Sequence, residues 1–137
     1  MLGVLNDISM LKIIVGIFIG SGLGGVFRYL TGVFITTENT SSGRWMLPYG
    51  TLIVNILGCL IFGLIYGLAL NFNLPKEWKL ALTTGLCGGL TTFSTFSFEI
   101  LDMFSSGNYI NGITYAFISL LAGVAFAWIG YTITSPA

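Results

Sequence analysis

Four long apolar stretches, at about residues 11–35, 47–70, 78–104 and 109–134, make up most of the chain, and short polar segments separate them. Each is longer than the roughly 20 residues that an α-helix needs to cross a hydrocarbon core of ~30 Å. The pattern therefore predicts an all-α integral membrane protein, a single domain over residues 1–137 with four transmembrane helices. The connections are brief: residues 36–46 carry Glu38 and Arg44 just ahead of Pro48, residues 71–77 contain Pro75, and Ser105-Ser106-Gly107-Asn108 reads as a tight turn. Helices joined this closely run antiparallel to their sequence neighbours, which brings both chain ends to one side. The first stretch is too long for the apolar core of a cleavable signal peptide and three more follow it, so it is expected to be a permanent helix.

Composition sharpens this reading: 55% of the residues are hydrophobic and 7% are charged, with a mean hydropathy of +0.92. Little chain remains for a soluble domain, a nucleic-acid patch or a nucleotide loop. An enzyme is not expected, because the chain has no His and no nucleophile with an evident base. Cys59 and Cys87 both fall within spans, show no metal spacing and read as packing residues; no organic cofactor is called for. Lys12, Lys76 and Lys79 lie on the side of the termini, against Arg28 and Arg44 toward the other side. This balance suits insertion in both orientations, while Lys76 and Lys79 alone would favour one.

The third stretch is unusual for a membrane helix. Gly85-Leu86-Cys87-Gly88-Gly89-Leu90-Thr91-Thr92-Phe93-Ser94-Thr95-Phe96-Ser97 concentrates glycines and hydroxyls, which loosen a helix and predict a break in mid-membrane. Such a break is tolerated only where protein or a water-filled path receives the freed backbone groups. Four helices can hardly both enclose a solvated path and cover it, so a two-fold dimer is the economical expectation. Gly16, Gly20 and Gly24, and likewise Gly63 and Gly67, form small-residue faces that allow close packing within one subunit or between two.

Few polar groups lie inside the spans, and each is costly there. Thr51 and Asn55 share a face of the second helix at i, i+4 spacing. The Asn55 amide can donate to an anion, or bond a neighbouring helix for roughly 0.6–2 kcal/mol. Phe93 and Phe96 stand three apart among Thr92, Ser94, Thr95 and Ser97; they are either core residues or, through the positive rims of their rings, part of an anion path lined by hydroxyl protons. Unwound carbonyls near residues 88–91 can bind a cation as half-helix ends do in transporters.

Together these residues resemble the Fluc fluoride-channel family, also called CrcB. The similarity is carried by Gly24-Gly25-Val26-Phe27-Arg28-Tyr29, by Gly50-Thr51-Leu52-Ile53-Val54-Asn55-Ile56-Leu57-Gly58, and most specifically by residues 85–97. It implies an antiparallel, dual-topology homodimer in a prokaryotic plasma membrane, with two fluoride pathways and a structural sodium ion at its centre. By motif, Phe93 and Phe96 become the ring-edge residues, Asn55 the pore amide with Thr51 on its face, and Ser94 and Thr95 hydroxyls of the polar track. Gly88 and Thr91 would offer backbone carbonyls to sodium, and Tyr115 and Ser119 would fit pore positions of the fourth helix. Arg28 would face an aqueous vestibule and concentrate anions; about seven residues from its helix end, roughly 10 Å, it can also snorkel to the surface. Glu99 and Asp102 read as interfacial anchors.

The function implied is passive export of cytoplasmic fluoride, whose hydration shell is replaced by hydroxyls, an amide and ring edges. The competing class is a small multidrug-type, proton-coupled cation exporter. That chemistry needs a carboxylate in the first helix, and residues 11–35 contain none.

Overall fold

The computed structural model describes residues 7–39 and 47–136. Among these residues there is no strand. The elements are α1 (Asp7–Asn39), α2 (Tyr49–Asn71), α3 (Lys76–Leu80), a π-helical segment (Ala81–Cys87), α4 (Gly88–Leu90), α5 (Phe93–Ser105) and α6 (Tyr109–Thr134). Among the described residues three helices are long and apolar enough to cross a membrane, at Ile8–Ile35, Tyr49–Asn71 and Tyr109–Thr134, so the chain is an all-helical, multi-pass membrane protein. The apolar stretch 78–104 is instead assembled from short pieces.

α1 runs on to Asn39, into the segment read as a polar connection. Thr36, Thr37 and Glu38 contain no Pro or Gly, so nothing there stops the backbone from continuing past the apolar run. The rest of that connection, with Arg44, lies outside the described residues. α2 ends in a Schellman turn: Asn73 adopts φ 47°, and Leu74 N–H returns to Ala69 O at 3.2 Å. α5 ends in the same way at the expected tight turn, with Gly107 at φ 78° and Asn108 N–H bonded to Met103 O at 2.8 Å.

The closest packing joins alternate helices, not sequence neighbours. Ser21 of α1 donates to Gly85 O of the π-helical segment at 3.4 Å. An added Cβ on Gly20 would lie 2.8 Å from Leu86 N and 3.1 Å from Gly85 Cα. The contacts advance together, Gly16 meeting Ala81 and Gly24 meeting Leu90, so α1 and residues 81–90 run parallel. α2 and α6 do the same: Gly63 faces Ala127 and Tyr131, Gly67 faces Thr134, and Thr134 Oγ1 donates to Leu64 O at 2.9 Å. Both small-residue faces are thus consumed by packing within the chain, where backbones approach too closely for any side chain.

Hydroxyls inside the apolar segments use the same economy. Thr83 Oγ1 donates to Lys79 O at 2.7 Å and Thr91 Oγ1 to Cys87 O at 3.0 Å, so their donors turn back onto the preceding helical turn. Most of the remaining apolar surface is uncovered. Phe18, Phe27, Ile110 and Phe117 are all exposed, as expected of a face in contact with lipid or a second copy.

Candidate functional site

The helical path through residues 76–105 is interrupted where Thr91 (φ −81°, ψ 155°) and Thr92 (φ −146°, ψ 116°) become extended. Glycine at positions 85, 88 and 89 and β-branched threonine at 91 and 92 make this the weakest part of the stretch for a helix. The π-helical turn just before it is a distortion that recurs at functional sites.

Asn55 receives the interruption. Thr92 N–H donates to Asn55 Oδ1 at 2.8 Å, and Asn55 Nδ2 donates to Thr92 O at 3.3 Å. Thr92, only 6% exposed, also caps α5, its Oγ1 accepting from Thr95 N–H at 3.3 Å and donating to Thr95 Oγ1 at 3.0 Å. In an unbroken helix Thr92 N–H would go to Gly88 O and Thr95 N–H to Thr91 O. Both donors point elsewhere, so the carbonyls of Gly88 and Thr91 lose their helical partners; carbonyl oxygens are the kind of ligand a hard cation takes. Arg28 Nη1 approaches Thr91 O at 3.4 Å, which puts the guanidinium beside the break instead of at the helix end.

A groove of about 420 Å³ opens next to these residues, walled by Asn55 and Cys59 of α2, Phe93 and Phe96 of α5, and Ser119 and Gly123 of α6. The rings of Phe93 and Phe96 lie 5.9 Å apart at 45°. Phe96 in turn meets Tyr115 at 5.2 Å and 54°, so neither pair is stacked face to face. Ser119 Oγ is buried and has no hydrogen-bond partner among the described residues. Ser94 and Thr95 are not among the groove walls; both are exposed on the first turn of α5.

Thr51 and Tyr115 meet at Glu99. Glu99, half-exposed beside Pro48 and Asn108, accepts from Thr51 Oγ1 at 2.6 Å and from Tyr115 OH at 2.7 Å, two partners that the interfacial-anchor expectation did not include. The available signal was a carboxylate within a stretch long enough to span, which demands specific partners; which donors answer it depends on how α2 and α6 flank α5. Tyr115 is fully buried at 0% exposure. Tyr115→Phe is expected to leave one Glu99 oxygen without its donor and to destabilise the protein by about 1–3 kcal/mol, measured as a lower unfolding temperature in detergent. Thr92 was the other omission. It appeared only as one hydroxyl among several, and its cap and its pairing with Asn55 require the fold.

Residues 15–131 match the family described as CrcB-like protein, Camphor Resistance (CrcB). The chain is 41% identical over 120 residues to the fluoride-specific ion channel FluC of Phocaeicola vulgatus, covering 88% of this chain and 96% of that one. It is 44% identical over 114 residues to the protein of the same name from Bacteroides fragilis, covering 83% and 89%. With that of Clostridium novyi it shares 45% identity over 117 residues, covering 81% and 86%. Matches of this extent include the α2 segment with Asn55 and the interrupted stretch with Phe93 and Phe96, and the chain belongs to the CrcB-like family.

Proposed function

We propose that the protein is a passive, fluoride-selective ion channel that exports cytoplasmic fluoride across a prokaryotic plasma membrane. The observation that carries this reading is the meeting of Phe93, Phe96, Asn55 and Ser119 on one groove, in a chain whose relatives are named fluoride-specific ion channels. Fluoride is small and strongly hydrated, so its path must return hydrogen-bond donors without trapping the ion. The second Nδ2 proton of Asn55, the unpartnered hydroxyl of Ser119 and the rims of Phe93 and Phe96 are such donors. Thr51 and Tyr115, bridged by Glu99, would continue the polar lining, and Ser94 and Thr95 would extend it on the outer face of α5.

In this reading residues 1–137 form one domain of four spans, the third interrupted in mid-membrane at Thr91 and Thr92. Phe93 is 79% exposed, so a single copy leaves the groove open beside it. A second copy, inserted in the opposite orientation, would close it and yield two pathways per homodimer; the near-balanced three-to-two split of the five basic residues around the spans suits such dual insertion. Gly88 and Thr91 carbonyls from both copies would hold a structural sodium ion on the dimer axis. When bound, that ion supplies fixed positive charge joining the two interruptions. Arg28 would raise the local concentration of anions at the vestibule.

The proton-coupled exporter alternative is not favoured, since residues 11–35 lack the carboxylate it requires. The reading is tested by ion efflux from liposomes holding the purified protein, with a fluoride electrode outside, valinomycin to balance charge, and a matched chloride experiment. Rapid fluoride release without chloride release is expected. Release of neither ion by a folded preparation would defeat the channel reading.

A further inference from the structure

We propose that Asn55 and Thr92 are positioning residues for the cation site: their side chains hold the carbonyls of Gly88 and Thr91 off the helical hydrogen-bond ladder and so create the ligands. This deepens the reading above and rests on its sodium assignment. Each of two backbone donors faces a choice between a carbonyl and a side chain. Thr92 N–H can close the helix on Gly88 O or bond Asn55 Oδ1, and it takes the latter at 2.8 Å. Thr95 N–H can close on Thr91 O or bond Thr92 Oγ1, and it takes the latter at 3.3 Å. One side chain therefore releases each carbonyl.

The competition is local. Thr92 is buried, so an N–H left there without its side-chain partner is costly and would return to the helix. Asn55 also donates to Thr92 O at 3.3 Å, so it holds both backbone groups of the extended residue as a neighbouring strand would. The space beside Gly88 is open: a Cβ placed there would meet nothing nearer than Thr83 O at 4.0 Å. Arg28 Nη1, at 3.4 Å from Thr91 O, occupies one lone pair of that carbonyl and leaves the other available.

The proposal separates two roles of Asn55, acceptor for the backbone and donor for the anion, and substitutions can divide them. Purified dimer in detergent is titrated with sodium chloride against N-methyl-D-glucamine chloride at constant ionic strength, and the unfolding temperature and the dimer fraction are followed. The wild-type protein is expected to gain stability with sodium. Asn55→Leu removes the acceptor, and Thr92→Val removes the cap while keeping the β-branched shape. Each is expected to weaken the sodium response by about 10-fold or more, as loss of a residue orienting a metal ligand does. Asn55→Asp keeps an acceptor for Thr92 N–H, and Thr92→Ser keeps the hydroxyl; both should retain the response. Should Asn55→Leu not fold, Thr92→Val against Thr92→Ser decides the matter.

An unchanged sodium response in Asn55→Leu and Thr92→Val, or no sodium response in the wild-type protein, overturns the proposal. Fluoride efflux measured on the same preparations keeps it distinct from the channel reading. Sodium-dependent stability without fluoride flux would defeat the channel and leave the positioning role standing. Flux without any sodium response would do the reverse.

Discussion

Replacement of Phe96 by Ile, and separately of Phe93 by Ile, is expected to reduce fluoride efflux by roughly 100-fold, the factor that follows from losing about 3 kcal/mol of stabilisation along the path. That energy matches the upper end for a hydrogen bond to a charged group, which is the role asked of a ring rim in a site with little water. Isoleucine keeps most of the apolar volume but has no quadrupole, so the test removes the electrostatics and spares the packing. Phe96 lies 5.2 Å from the buried Tyr115 ring, and its loss should lower the unfolding temperature slightly. Phe93, largely exposed in the single chain, should leave that temperature nearly unchanged. Wild-type efflux in both variants would remove the rings from the path while leaving the fold as described.

Gly20→Leu is expected to prevent recovery of folded protein. A Cβ there would be 2.8 Å from Leu86 N and would also run into Ala81 O; both are backbone atoms that cannot swing aside, and the π-helical segment behind them is already distorted. Overpacking at a flexible side chain typically costs 1–3 kcal/mol, and the rigid contact here should exceed about 3 kcal/mol. Gly22, with open space around it, is the control: Gly22→Leu should fold and give a monodisperse peak on size exclusion. Equal behaviour of the two variants would mean that α1 does not pack on residues 81–90 as described.

Several features were legible in the residue order because they are local. Hydropathy summed over about 20 residues identifies a stretch that prefers lipid, whatever the rest of the chain does. The glycines at 85, 88 and 89 with the threonines at 91 and 92 weaken a helix through backbone freedom and β-branching, which is how an interruption near these positions could be anticipated. Glycine at every fourth position marks a face for close approach, but it is silent on the partner. The structure assigns both such faces to contacts within the chain, α1 against residues 81–90 and α2 against α6.

Asn55 shows why the remainder was not legible. Sequence reasoning weighed an anion donor against a bond to a neighbouring helix, and the structure shows the amide on the Thr92 backbone, a pairing across 37 positions of chain. Glu99 makes the same point: its donors, Thr51 and Tyr115, come from α2 and α6 on either side of it, and no spacing rule relates the three.

Membrane class, the apolar stretches and the weak point of the third stretch were thus determined by the sequence alone, through solvent preference and backbone propensity, which act residue by residue. The tertiary structure alone decided which helices lie parallel in contact, which side chains hold the interrupted backbone, and where the Glu99 carboxylate finds its hydrogen-bond donors. Those outcomes depend on hydrogen bonds and close packing between distant segments, and such pairings exist only once the helices are brought together.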